Sequence, residues 1–188
     1  GTDLTLAELR RHYDAVIFST GARRDRPLDI PGIDLPGSYG AADFVSWYDG
    51  HPDAPRSWPL EARDVAVLGA GNVALDIARM LAKPADEQLG TEIAGNVYRG
   101  LALNKATDIH VFARRGPAQI KFSPMEFREL SHSPSVDVIV HPEGFEIDEA
   151  SQKAINSTKS IKLVVDTMMK YMDREPTGAA HRIHIHLC

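Results

Sequence analysis

The chain has 188 residues, of which 43% are hydrophobic and 25% are charged, and this composition is typical of a globular protein. Its net charge of −5 argues against general nucleic-acid binding. No run approaches the roughly 18 consecutive apolar residues that a membrane-spanning helix needs. Cys188 is the single cysteine, so an internal disulfide is excluded and a reducing, cytoplasmic location is expected.

The beginning of the chain predicts one short helix followed by one strand. Thr5 and Glu8 have the spacing of a capping box, which indicates a helix that runs to about His12. Residues 13–20 (YDAVIFST) are rich in apolar and β-branched side chains and are closed by Gly21, a pattern typical of a strand.

A turn-rich stretch at 26–37 then leads to a second short helix predicted over 41–48 and to a proline-rich loop at 51–59. The apolar run at 64–68 (DVAVL) predicts a parallel strand that is covered on both faces. The following helix begins near Asn72 and carries two neighbouring rows of apolar residues spaced four positions apart. It ends at about residue 83, because a proline disfavours helical geometry in the residue before it.

The second half continues the alternation of helices and strands. Residues 85–107 predict a long loop with another helix, and 108–113 (DIHVFA) and 136–140 (VDVIV) predict strands. Residues 161–165 fit either a strand or a helix. Residues 181–187 alternate polar and apolar side chains, which indicates a strand.

A further short helix is predicted from its N-terminal signals. Ser123 is suited to the cap, Pro124 to the first helical position and Glu126 to the third. Glu126 is therefore expected to act as the capping-box partner of Ser123.

The residues 69–74 (GAGNVA) form a G-x-G-x-x-A pattern between a predicted strand and a predicted helix, the order that dinucleotide binding requires. Gly69 allows the tight turn, Gly71 lets a pyrophosphate approach the backbone, and Ala74 permits close helix–strand packing. The N–H groups of the first helical turn then face the phosphates. The alternative interpretation is a strand–turn–helix unit that binds no ligand.

The end of the next strand distinguishes NAD from NADP. An NAD site usually has an acidic residue about 20 positions after the glycines. Glu87 and Glu92 have this spacing, but neither follows a predicted strand. Arg114 and Arg115 do follow the strand at 108–113, and their charge and forked donors suit the 2′-phosphate of NADP(H). The alternative is that they are ordinary surface charges.

Four segments resemble, in order, the adrenodoxin reductase type of ferredoxin–NADP(+) reductase, and above all its bacterial members. They are YDAVIFSTGA, DIPGIDLPGS with the following ADFVSWY, VLGAGNVALDIARML, and FARRGPAQIKFSPMEFREL. The resemblance covers nearly the whole chain. It implies an α/β fold, in which a Rossmann-like NADP-binding domain with a parallel sheet and flanking helices is joined to a remnant of a discontinuous FAD-binding domain. Residues 1–22 would be the remnant, and 23–188 an NADP-binding domain that is incomplete at its C-terminus.

The resemblance also implies a function. Members of the family pass hydride from NADPH to FAD and then pass electrons to ferredoxin or a similar iron–sulfur protein. The FAD phosphate loop, the C-terminal flavin segment and the flavin-side histidine of the family are missing from this sequence. We therefore expect a fragment of a longer enzyme that lacks most of the FAD site and is inactive alone.

Individual site residues follow from the same resemblance. The implied cofactor-binding residues are Gly69, Gly71, Asn72, Val73, Ala74, Leu75, Arg114, Arg115, Glu126, Thr20 and Gly21. The first six would hold the pyrophosphate, the arginines the 2′-phosphate, and Thr20 with Gly21 would pass close to FAD. Glu126 would contact NADP. Glu129, on the same helix face, would lie near the nicotinamide and help in proton movement, unless it is an ordinary solvated glutamate.

Two other functions remain open. One is another two-dinucleotide flavoprotein, such as the small subunit of glutamate synthase, and the other is a non-catalytic NADP-binding module. His184, His186 and Cys188 share one face of the last strand and are residue types that bind zinc. We interpret them as the outer face of a strand whose alternate apolar residues point inward, and so we predict no metal site.

Overall fold

The computed structural model describes residues 3–19, 21–22 and 24–187. Its helices and strands are α1 (Leu6–His12), α2 (Ala41–Tyr48), β1 (Asp64–Leu68), α3 (Asn72–Ala82), α4 (Gly95–Leu101), β2 (Asp108–Ala113), α5 (Pro124–Glu129), β3 (Val136–Val140), α6 (Glu149–Ser157), α7 (Lys159–Met172) and β4 (His181–Leu187). Short 3₁₀ turns lie at Ala85–Gln88, Pro117–Gln119 and Leu130–His132.

The four strands form one parallel sheet in the order β1-β2-β4-β3. Parallel neighbours need crossover connections, and helices supply them here. The α/β fold with a parallel sheet and flanking helices is thus confirmed. All four of its strands lie where their apolar runs predicted them. The stretch 161–165, which fitted either element, is helical and lies within α7.

The core lies on one face of the sheet. Helix α3 packs against β1, β2 and β4, helix α7 packs against β3, and α5 packs against both helices. The sheet contributes Ile109, Ile183 and Ile185, and the helices contribute Phe127 and Met168, all at most 1% exposed. Burial of these alternate strand residues fixes which face of the sheet meets the helices. The inward orientation predicted for the apolar residues of β4 is confirmed.

The opposite face of the sheet corrects one expectation. Strand β1 was expected to be covered on both faces, yet Leu68 is 55% exposed. Leu68 is in register with Phe112 of β2, and Ala66 with His110, so these residues share a face. That face is only partly covered by the described residues. An apolar run in β1 therefore did not mean burial on both sides.

The predicted strand at 13–20 is wrong over its described part, residues 13–19, while Thr20 lies outside the described residues. Ile17 is 89% exposed and Phe18 69% exposed. A strand is stabilised by ladder hydrogen bonds and by burial of alternate side chains. In the described part of the chain, no strand runs beside this segment to supply either.

The capping box predicted for α1 is confirmed. The Thr5 Oγ1 accepts a hydrogen bond from the Glu8 N–H at 3.2 Å. In return, the Glu8 Oε2 accepts one from the Thr5 N–H at 2.8 Å. Two N–H groups that the helix leaves without intrahelical partners are satisfied in this way.

Four imidazoles stack on the partly covered face of the sheet, and we call them the histidine cluster. Its members are His110, His141, His184 and His186. The ring centroids of His141 and His186 are 4.3 Å apart. Two ring-nitrogen contacts cross the cluster at 3.0 Å, from His110 to His186 and from His141 to His184. Each of these contacts needs one bare nitrogen as acceptor, so each can form only while one ring of the pair is neutral.

The surroundings of the histidine cluster assign one proton. The His184 Nε2 lies 3.1 Å from the Asp108 Oδ1, so it donates there and leaves Nδ1 to accept from His141. The charged groups facing the cluster are Asp64, Asp108, Glu143 and Arg182. Over the described ranges, no group of three or more potential ligands has the arrangement of a metal site. Cys188, which the zinc alternative invoked, lies outside the described residues.

Acid should destabilise the folded chain in the range where histidine titrates. Burial, and after it the neighbouring imidazoles, lowers the pKa of His186. Burial also lowers the pKa of His184 in spite of its bond to Asp108. Unfolded histidine, with a pKa of about 6.5, therefore takes up protons first as the pH falls. This contribution to stability is present above that pKa and is lost below it, so the thermal midpoint should decrease from about pH 7 to about pH 5.

Two variants isolate the histidine cluster in this measurement. His186→Phe keeps a ring beside Phe112, which stacks on His186 at 4.7 Å, and should flatten the pH dependence. His12→Gln, at an exposed position of α1, should leave it unchanged. Arg182 holds the pKa of Asp108 well below its usual range, so that carboxyl titrates in a separate, more acidic range. A midpoint independent of pH in the unchanged chain would contradict the prediction.

Candidate dinucleotide-binding site

The glycine loop, residues 69–71, connects β1 to α3 and is attached to the neighbouring strand. Gly69 has a φ of +150°, a conformation that residues with a Cβ rarely adopt. Its N–H donates to the Phe112 carbonyl oxygen at 3.0 Å. Ala74 is buried, and its Cβ lies 3.9 Å from where a Cβ on Gly69 would be. A small residue at 74 therefore lets α3 start close to the strand, as the motif predicted.

The first turn of α3 presents open backbone donors. Gly71 is the N-cap and makes no side-chain capping bond. Ala74 and Leu75 donate their N–H groups back to the Gly71 carbonyl at 3.1 and 3.3 Å. Within the described ranges, the N–H groups of Asn72 and Val73 have no protein acceptor. A Cβ placed on Gly71 would meet nothing within 4 Å, so the space before these donors is open.

A second segment, residues 121–123, runs beside the glycine loop. The Lys121 N–H donates to the Ala70 carbonyl oxygen at 3.1 Å. The Ser123 N–H donates to the Asn72 Oδ1 at 2.8 Å. These two bonds hold the start of α5 against the start of α3. Asn72 was predicted to bind the cofactor, and its side-chain oxygen already accepts a hydrogen bond from the protein.

Half of the capping box predicted for α5 is present. The Ser123 Oγ accepts from the Glu126 N–H at 3.2 Å. The reciprocal bond is replaced, because the Ser123 N–H bonds to Asn72 and not to the Glu126 carboxylate. The expectation that Glu126 completes the box is therefore wrong for its side chain. That carboxylate is half-buried and is not used for capping.

Arg114 and Arg115 directly follow β2, the strand that pairs with β1. Both are exposed. Of the ion pairs formed by the described residues, none includes either guanidinium. Two unpaired cations thus lie at the strand end next to the glycine loop.

The Glu87 Oε1 accepts from the Ser133 Oγ at 3.0 Å, which agrees with excluding Glu87 as a ribose-binding carboxylate.

No protein-family model matches the chain. It is 40% identical over 187 residues to NADPH-ferredoxin reductase FprA of Mycobacterium leprae, covering 97% of this chain and 40% of that protein. It is 36% identical over 182 residues to the mitochondrial NADPH:adrenodoxin oxidoreductase of Arabidopsis thaliana, covering 96% and 38%. The solved structure of Mycobacterium tuberculosis FprA in complex with NADPH matches with a TM-score of 0.80 and 36% identity, covering 98% of this chain and 40% of that chain.

The chain is homologous to these ferredoxin and adrenodoxin reductases. The predicted family resemblance is thereby confirmed over nearly the whole chain, including the Rossmann-type fold. The chain spans about 40% of the length of the three relatives named above. In its described part, no helix is long and apolar enough to cross a membrane.

Glu129 of this chain is held by Arg79, an arginine that the sequence analysis did not single out. The Glu129 Oε2 accepts from the Arg79 Nη1 at 2.8 Å, and the Arg79 Nη2 donates to the Asp76 Oδ1 at 2.6 Å. Arg79 therefore joins α3 to α5. It is 50 positions from Glu129, and only its spacing to Asp76 is visible in the sequence.

Gly21 and Thr20 are the two residues that were predicted to pass close to FAD. Gly21 has a φ of +61°, and a Cβ added there would meet nothing within 4 Å. Thr20, predicted with it to pass close to FAD, lies outside the described residues.

Burial, then Asp49 and Asp76, raises the pKa of Tyr48 to about 12. Tyr48 is therefore protonated at neutral pH.

Proposed function

We propose that this chain is the NADP(H)-binding part of a flavin-dependent reductase that passes hydride from NADPH to FAD and electrons to a ferredoxin-like iron–sulfur protein. One observation carries the proposal: open N–H groups at the start of α3 follow β1, and Arg114 and Arg115, which form no ion pair with the described residues, follow the adjacent strand β2 at the same end of the sheet. The relatives named NADPH-ferredoxin reductase and NADPH:adrenodoxin oxidoreductase support the wider activity.

We propose the division into a FAD-domain remnant at 1–22 and an NADP-binding domain at 23–188. The extended segment 13–19 is largely exposed, as expected for a piece whose packing partners belong to another domain. The sheet and its helices share one core. The residues present fit NADP, since donors and cations face the same end of the sheet. Gly21 is the one described residue assigned to FAD.

We propose roles for the residues at the start of α3, for the arginine pair and for Glu129. Gly71, Asn72 and Val73 bind the pyrophosphate through backbone N–H groups, to which the dipole of α3 adds favourable potential. The arginine pair binds the 2′-phosphate through charge-assisted bonds. Glu129, oriented by Arg79, takes part in proton movement near the nicotinamide, where the bound NADPH supplies the hydride.

Titration of the chain with NADP+ and NAD+ by isothermal calorimetry tests the proposal. NADP+ should bind at least about tenfold more tightly, because the 2′-phosphate adds charge-assisted bonds that NAD+ does not make. Adenosine 2′-monophosphate should compete with NADP+, whereas adenosine 5′-monophosphate should compete less well. Equal or tighter binding of NAD+ would remove the assignment of the arginine pair and of NADP as the cofactor.

A further inference from the structure

We propose that Lys121 is a third phosphate-binding cation of this site and that its ammonium contacts the pyrophosphate of the bound dinucleotide. The inference rests on the proposed function, because it concerns the same cofactor. It adds a residue that neither the glycine pattern nor the arginine pair includes.

Backbone geometry places Lys121 at the glycine loop. Its N–H donates to the Ala70 carbonyl oxygen at 3.1 Å, between the two glycines of the loop. Two residues on, the Ser123 N–H is held by Asn72 at 2.8 Å. A lysine ammonium reaches about 6 Å from its Cα on a flexible four-carbon stem. The backbone of Lys121 is thus attached to the loop that leads into the open N–H groups of Asn72 and Val73, and we infer that its ammonium reaches the space in front of them.

The charge of Lys121 is uncompensated by the protein. Its side chain is exposed, and over the described ranges its ammonium has neither an ion pair nor a hydrogen bond. Over the same ranges, three lysines form ion pairs, namely Lys105, Lys153 and Lys162. Lys83, Lys159 and Lys170 do not, so what sets Lys121 apart is its position at the glycine loop. In a chain of net charge −5, an unpaired cation at the phosphate loop favours an anion there.

Lys121 is assigned to the pyrophosphate and not to the 2′-phosphate because its backbone is bonded to the glycine loop. That loop leads directly into the open N–H groups that are proposed to bind the pyrophosphate. The arginine pair instead follows the adjacent strand β2. An ammonium is a compact charge with rotatable donors and binds phosphate as a point charge, which suits a pyrophosphate held mainly by backbone N–H groups.

Binding of two probes to the whole chain tests this contact. Lys121→Gln should weaken NADP+ binding about fivefold to tenfold, as expected for one charge-assisted contact at an exposed site. The same variant should leave adenosine 2′-monophosphate, which has the 2′-phosphate but no pyrophosphate, unchanged. Lys121→Arg should retain most of the affinity, and Lys153→Gln on α6 is the matched control.

The outcomes separate this contact from the proposed function. If the unchanged chain binds NADP+ and Lys121→Gln binds it equally well, Lys121 makes no such contact and only this inference fails. An equal loss for NADP+ and adenosine 2′-monophosphate would place Lys121 at the 2′-phosphate and overturn the assignment. If the unchanged chain binds neither probe, the proposed function is overturned together with the contact. Circular dichroism melting verifies that all variants are folded.

Discussion

Replacing Arg114 and Arg115 together with alanine should weaken NADP+ binding to the chain by about 2–4 kcal/mol, from about 1.5–3 kcal/mol for each charged hydrogen bond with partial non-additivity. Both side chains are exposed and make no ion pair with the described residues. Their removal should therefore cost binding and not folding. NAD+ affinity should hardly change, since NAD+ has no 2′-phosphate for the arginines to bind.

The chain offers a matched control for this double substitution. Arg10 and Arg11 form another exposed arginine pair, in the last turn of α1. Arg10→Ala with Arg11→Ala changes the net charge by the same amount away from the glycine loop. Calorimetric titration of both double variants with NADP+ separates a local contact from a general charge effect. Equal losses in the two would show that the pair at 114–115 acts only through net charge.

Gly71→Ala should weaken dinucleotide binding by at least about 2 kcal/mol while changing fold stability by less than about 1 kcal/mol. The φ of Gly71 is −113°, which any residue adopts, and an added Cβ meets nothing in the protein within 4 Å. We expect that Cβ to obstruct the close approach of the pyrophosphate to the backbone at Gly71. Titration with NADP+ and thermal unfolding measure the two effects separately.

Gly69→Ala is the informative contrast to Gly71→Ala. Its φ of +150° is strained for alanine, although the nearest atom to the added Cβ is 3.9 Å away. We therefore expect Gly69→Ala to reduce fold stability more than dinucleotide affinity, with a loss of fold stability of about 1–3 kcal/mol from backbone strain. If Gly71→Ala instead destabilised the fold and bound NADP+ normally, the role of Gly71 would be structural.

The elements that could be predicted from sequence are those encoded by local patterns. Strands at 64–68, 108–113, 136–140 and 181–187 have the predicted bounds, because buried parallel strands require short apolar or alternating runs. The segment 13–19 has a similar run, but a strand also needs a neighbour, which its own residues do not encode. The exposure of Leu68 likewise depends on what packs above the sheet.

The candidate site likewise has features that local sequence patterns predict and features that depend on tertiary packing. The glycine spacing and the arginines at a strand end are local signals, and they follow adjacent strands of the sheet. The bonds from Asn72 to Ser123 and from Arg79 to Glu129 join residues 51 and 50 positions apart. No spacing rule reveals such contacts, since they depend on how α3 and α5 pack.

The strand order β1-β2-β4-β3 has a consequence for synthesis on the ribosome. Strand β4 comes last in sequence yet lies between β2 and β3, and among the described strands β3 pairs with β4 alone. Until residues 181–187 emerge, β2 and β3 each present an open edge, which is a template for pairing with other chains. Completion of this sheet is therefore a long-range event that must wait for β4, and the open edges of β2 and β3 favour aggregation until it occurs.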